Sequence, residues 1–178
     1  MEVTPLPIDG AFAFVPKQYG DDRGWFKELY AATRYRNAGV EAAFVQDNLS
    51  MSHRLVLRGL HGDPRMAKLV QVLRGSAFDV IVDARPASPT FRRWYASTLV
   101  AHEHTQLYIP AGCLHGFLAL EDETLLFYKQ SAEYDPPGEF GVAWNDPDLA
   151  IAWPLGRAAP ILSPKDAANP TLRELGLL

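Results

Sequence analysis

Leu57-Arg58-Gly59-Leu60-His61 is followed, seven residues after the histidine, by Lys68-Leu69-Val70. Further on, His115-Gly116-Phe117 comes shortly after Ile109-Pro110-Ala111-Gly112. Two histidines, a lysine and an arginine in such segments suit abstraction of a proton next to a carbonyl, with cations holding the negative charge that develops. An imidazole near cations is favoured in its neutral form, which is the form a general base needs. Each residue also has a structural reading. A lone histidine is commonly a satisfied core side chain, and Lys68, between Met66-Ala67 and Leu69-Val70, could snorkel at a strand edge. Two histidines directed into one scaffold shift the balance toward a site.

Other side chains can complete such chemistry. Tyr128 closes the apolar run Thr124-Leu125-Leu126-Phe127. A tyrosine hydroxyl both donates and accepts, so it can act as a general acid or simply bond to backbone inside the fold. Tyr134 follows six residues later. Asp166, in Leu162-Ser163-Pro164-Lys165-Asp166, reads either as part of a helix cap or as a partner for His61. In the second role it would fix the imidazole tautomer and stabilise the imidazolium. Metal ligation in a barrel calls for histidines one residue apart on a strand. The one such pair is His102-Glu103-His104, in a charged turn, while His61 is followed by Gly62-Asp63-Pro64, so no metal is expected. Cys113, the single cysteine, excludes an intrachain disulfide and reads as a buried small hydrophobe.

The elements that must position these groups are short. Fourteen prolines and thirteen glycines punctuate runs rich in β-branched and aromatic residues: 11–15, 77–82, 94–100, 106–109 and 124–128. Phe78, Val80 and Val82 alternate with Asp79, Ile81 and Asp83, the period of a strand with one buried face. Helices are predicted only over 29–37 and 171–177. The proline- and alanine-rich segment from Pro154 is expected to wrap the surface. The pattern predicts an all-β fold, a cupin-type double-stranded β-helix (jelly roll) with a few short peripheral helices. A chain of 178 residues, 48% apolar and 21% charged, can bury a substantial core and is expected to form one domain over 1–178. A formal charge of −4 leaves no electrostatic footprint for nucleic acid. An anionic substrate must then be held by a local cationic pocket. The start Met-Glu-Val-Thr-Pro is not a signal peptide, and no stretch approaches the ~20 apolar residues of a membrane helix, so a cytoplasmic protein is expected.

The chain resembles the nucleotide-sugar 3,5-epimerase family over nearly its whole length. The resemblance rests on the order and spacing of Asp22-Arg23-Gly24-Trp25-Phe26-Lys27-Glu28, Gln46-Asp47-Asn48, Arg58-Gly59-Leu60-His61, Lys68-Leu69-Val70, His115-Gly116-Phe117, Tyr128-Lys129, Trp144-Asn145-Asp146-Pro147 and Ser163-Pro164-Lys165-Asp166. It implies a metal-free cupin without cofactor, forming a homodimer with exchanged N-terminal strands. It implies epimerisation at C3 and C5 of a nucleotide-linked 4-keto-6-deoxy sugar, with His61 as base, Asp166 as its partner and Tyr128 as acid on the opposite face. Lys68 would steady the C4 oxyanion, with His115 and Arg58 at the sugar-diphosphate. Arg23 and Glu28 would hold the diphosphate and base beside Gln46 and Asn48. Tyr134 would stack on the nucleobase, with Glu139 in the same region.

The segment His61-Gly62-Asp63-Pro64-Arg65-Met66-Ala67-Lys68 is about three residues shorter than in the usual member and lacks an aromatic after the histidine. The absent aromatic is expected to alter the pocket wall. The short form is similar to a subgroup that includes epimerases of GDP-linked 4-keto heptoses. C3-only epimerisation and a GDP-linked or other nucleotide sugar therefore stand as alternatives, together with a 3,4-ketoisomerase, a non-catalytic sugar-binding cupin and a metal-dependent cupin enzyme.

Overall fold

The computed structural model describes residues 1–177. Leu178, which ends the expected 1–178 span, lies outside them. Among the described residues, thirteen strands and two short α-helices occur in the order β1 (Glu2–Pro5), β2 (Phe12–Val15), β3 (Gln18–Asp21), β4 (Gly24–Lys27), α1 (Ala32–Asn37), β5 (Gln46–Ser52), β6 (Leu57–Gly62), β7 (Lys68–Arg74), β8 (Ser76–Asp83), β9 (Trp94–Val100), β10 (Gln106–Ile109), β11 (Cys113–Ala119), β12 (Thr124–Gln130), β13 (Phe140–Gly141) and α2 (Pro164–Ala167). One sheet has the order β1-β2-β10-β7-β12-β5 and the other β13-β6-β11-β8-β9, with β3-β4 as a separate hairpin. All strand pairs are antiparallel, and the two sheets face each other as a jelly roll of the cupin type.

Three apolar layers hold this together. Val70, Val72, Ile81, Leu107, Phe117 and Leu126 fill the space between the sheets. Leu60, Val80, Val82 and Leu114 line the outer face of the five-stranded sheet. The chain after β13 covers them with Leu149, Trp153 and Leu172. Phe14, Leu69 and Tyr108 line the outer face of the other sheet under Tyr35 and Val40, which flank or belong to α1. This layering corrects the reading of β8. Its alternation does not mark one wet face, since Ile81 points inward, Val80 and Val82 pack under the wrap, and Asp79 and Asp83 are fully buried. Asp83 is tolerated because Arg85, Ser88 and Thr90 take its oxygens, holding its carboxyl at about 2 against the opposing effect of burial.

The helices differ from expectation for local reasons. The predicted 29–37 helix begins only at Ala32, because the Leu29 carbonyl is taken by the Tyr35 hydroxyl (2.9 Å) and Gln106 Nε2 (2.9 Å). The 171–177 segment forms turns, not a helix. Thr171 and Glu174 make a cap, but Gly176 at φ 69° ends the turn at once. The segment at 164–167 is helical instead, because Ser163 caps it by accepting from the Asp166 N–H, with Pro164 at the first helical position.

Candidate active site

β6 and β11 are brought together by two facing glycines. Gly59 has φ 121°, and a Cβ there would stand 2.6 Å from the Gly116 Cα. With no side chain between them the strands meet, and His61 on β6 lies directly across from His115 on β11. Lys68 opens β7, and Tyr128 lies on β12 beside it. Inward alternation aims His61, Lys68, His115 and Tyr128 into one cavity of about 290 Å³. Arg58, Tyr134 and Glu139 line the same cavity.

Asp166 arrives from α2, with Oδ1 2.6 Å from His61 Nε2. Neither atom has another partner among the described residues. Burial pushes the Asp166 carboxyl up, but the His61 imidazole, the Ser163 hydroxyl and the Gly59 N–H outweigh it and hold it below its usual range. Burial likewise pulls the Lys68 ammonium below the usual lysine range, although Glu139, Asp79 and Asp63 resist. Tyr128 is pushed up, chiefly by burial and then by the charge of Glu139, so its phenol stays protonated at neutral pH. The cavity thus presents an imidazole held by a carboxylate, a buried lysine amine and a protonated phenol. These are the parts of a base, an oxyanion partner and an acid.

The sequence-predicted residues divide by position. Gln46 and Asn48 share one face of β5 with Ser50, which lines the cavity, but are not themselves part of its lining. Asn48 Nδ2 donates to Gln130 Oε1 at 3.1 Å, and the Tyr134 N–H donates to Gln46 Oε1 at 2.9 Å. The Arg58 guanidinium is anchored to Ser52 Oγ and the Met51 carbonyl. Arg23 and Glu28 are not at the cavity of their own chain. Arg23 is at the tip of the β3-β4 hairpin, 89% exposed and paired with Asp21, and Glu28 pairs with Arg34. Gly62 corrects the expectation of an altered wall. It faces away from the cavity, where a Cβ would meet the Cys113 carbonyl at 2.9 Å and the Phe140 ring at 3.0 Å.

Sequence reasoning missed Asp79, whose Oδ2 lies 2.7 Å from His115 Nε2, and also Ser163 and Lys165. An aspartate in mid-strand was the available signal for the first. For the others it was their place beside Asp166. Cys113 is buried and its thiol is pushed up to about 12 by burial, which makes it inert. A wider groove of about 590 Å³, between the hairpin and the outer sheet face, holds His102 and His104 with Trp25 and Lys27. Among the described residues no group of three His, Cys, Asp or Glu could hold a metal ion. Nor is any helix among them long and apolar enough to cross a membrane.

A jelly roll whose inner cavity pairs a histidine–carboxylate couple with a lysine and a tyrosine is a cupin whose site holds the groups that proton transfer requires. The family model described as dTDP-4-dehydrorhamnose 3,5-epimerase matches residues 5–174. The dTDP-4-dehydrorhamnose 3,5-epimerase of Pseudomonas aeruginosa is 46% identical, with 93% of each chain covered. The Legionella pneumophila dTDP-6-deoxy-D-glucose-3,5-epimerase, solved in complex with dTDP-4-keto-L-rhamnose, superposes with a TM-score of 0.92 at 43% identity, covering 99% of this chain and 96% of that one. A 3'-monoepimerase from Streptomyces bikiniensis, solved with dTDP-quinovose, gives 0.89 at 39% identity, covering 98% and 91%. The chain belongs to the dTDP-4-dehydrorhamnose 3,5-epimerase family and is an isomerase of that kind.

Proposed function

We propose that this chain epimerises C3 and C5 of dTDP-4-dehydro-6-deoxy-D-glucose, giving dTDP-4-dehydro-L-rhamnose, without a cofactor. The observation that carries the reading is the convergence of the His61–Asp166 couple, Lys68 and Tyr128 on one cavity. The 4-keto group acidifies the hydrogens at C3 and C5. His61 removes one as a proton, and the electron pair moves to the C4 oxygen, where the Lys68 ammonium faces the enolate. Tyr128 returns a proton to the opposite face of that carbon. The imidazolium, steadied by Asp166, then loses its proton to solvent and the tyrosinate regains one before the second carbon reacts. Arg58 and His115 hold the sugar-diphosphate, while Gln46, Asn48, Tyr134 and Glu139 hold the nucleotide end.

The reading includes a homodimer with exchanged N-terminal strands, in which Arg23 and Glu28 serve the partner's cavity. Supporting it, the hairpin that carries Arg23 exposes Trp25 at 59% and Phe26 at 70%, an unusual apolar surface for an isolated hairpin. A nucleotide-sugar substrate fits a cytoplasmic location, with the 1–178 chain acting as one unit.

Inversion of C3 alone is the second reading, favoured by the likeness to a 3'-monoepimerase. Incubation with dTDP-4-keto-6-deoxyglucose in D2O, read by mass spectrometry and proton NMR, tests both. Deuterium at C3 and C5 is expected. Deuterium at C3 alone would establish the second reading. No deuterium would reject this substrate, and the same assay with GDP-linked 4-keto sugars would follow.

A further inference from the structure

The short connection between His61 and Lys68 ends in an ion-pair cluster to which the mechanism gives no role. Asp63 is buried, and its carboxylate accepts from the Arg65 N–H (2.8 Å), Nε (3.0 Å) and Nη2 (2.8 Å). The other arm of the guanidinium, Nη1, donates to Asp135 Oδ2 at 3.0 Å. Gly138 lies flat against the same group. A Cβ on Gly138 would stand 1.8 Å from Arg65 Nη2 and 2.7 Å from Asp63 Oδ2. Arg65 thus supports the 134–139 stretch at two points, residues 135 and 138. The residues just outside those points, Tyr134 and Glu139, line the cavity. Glu139 in turn pairs with Lys165, the neighbour of Asp166.

We propose that Arg65, seated on buried Asp63, is a positioning residue that sets the nucleotide-binding wall of the cavity through Asp135 and Gly138. The proposal rests on the reading of Tyr134 and Glu139 as nucleotide contacts. A bidentate fork fixes both distance and plane, which a lysine at the same place would not do. Because the wall contacts the nucleotide and not the reacting carbons, its displacement weakens ground state and transition state equally.

Arg65→Lys and Gly138→Ala test this from opposite sides of the contact, and both leave a cation or the native guanidinium near Asp63. In each, KM for the nucleotide sugar and Kd for dTDP by calorimetry are expected to rise about 5- to 20-fold, with kcat within about twofold of wild type. Amide hydrogen exchange over 134–139 is expected to quicken, with exchange in the barrel strands unchanged. Wild-type KM in both folded variants would overturn the proposal. So would a loss of melting temperature with KM retained, since Arg65 would then only support the fold. Should wild-type protein neither bind dTDP nor exchange deuterium into the sugar, the functional reading fails. Wild-type exchange over 134–139 in both variants would then still overturn the clamp.

Discussion

The two histidine–aspartate couples stand side by side and are built differently. His61 and His115 are cross-strand neighbours, and each places Nε2 within 2.7 Å of a carboxylate oxygen. His115 is 8% exposed and Asp79 not at all, and Asp79 comes from the adjoining strand β8, two residues from the position opposite His115. His61 is 21% exposed, and Asp166 is delivered by α2, outside both sheets. A couple locked within one sheet, one Asp79 oxygen left without a partner among the described residues, suits holding a shape or a charge. A couple open on one side to the cavity suits passing a proton. On the proposed reading, exposure and the rigidity of what delivers the carboxylate give the same pair of side chains different work.

That contrast can be broken first at the histidines. His61→Asn is expected to lower kcat by about 10³-fold or more with the fold retained, whereas His115→Asn should cost about 10-fold, read by deuterium wash-in. Similar losses in both would erase the distinction. The carboxylates come next. Asp166→Asn is expected to lower kcat by about 10²-fold, with a fall in melting temperature at neutral pH that fades in acid. Asp79→Asn should instead destabilise the fold by about 1–3 kcal/mol in denaturant titration, because a fully buried charge-assisted bond is lost.

The pH dependence sharpens the comparison further. The Asp166 carboxyl lies below its unfolded value, so the stability it contributes is present above the ordinary carboxylate range. That stability is lost as pH falls through the lower folded value. Asp166→Asn should remove this acid slope. Lys68 also lies below its unfolded value, but here the charged form is the one penalised. Between the folded and unfolded values the unfolded chain binds more protons, so stability rises with pH while activity falls as the ammonium is lost. The alkaline limb of kcat should therefore begin below the ordinary lysine range, since the Tyr128 phenol is shifted the other way. The smallest effect is expected at Cys113. Treatment with iodoacetamide at pH 8 should leave activity unchanged, because the buried thiol stays protonated.

The parts of this contrast were unequally legible in the sequence. The strand carrying Tyr128 could be read from its apolar run, His61, Lys68 and His115 from their short motifs, and Asp166 could be paired with His61 by residue type. Asp79 could not be paired with His115, because strand register is not written in either strand alone. Its mid-strand position was misleading, since alternation that normally marks a wet face here marks a second buried one. The start of α1 was obscured by long-range bonds to the Leu29 carbonyl. The role of Gly62 depended on Phe140, far along the chain and paired with it only through β13. Local chemistry was readable, and what faced it across the fold was not.

The chain after β13 does two things at once. It seals the outer apolar face over Leu60, Val80 and Leu114, and it carries Asp166 to His61. During synthesis every barrel strand has emerged before residue 142, yet the base still lacks its carboxylate. On the proposed reading, full turnover then begins only after the wrap has docked. An unfinished or clipped molecule, with its apolar face bare and prone to stick, would turn over substrate no faster than Asp166→Asn. On that reading, full catalytic competence reports that the chain after β13 is in place.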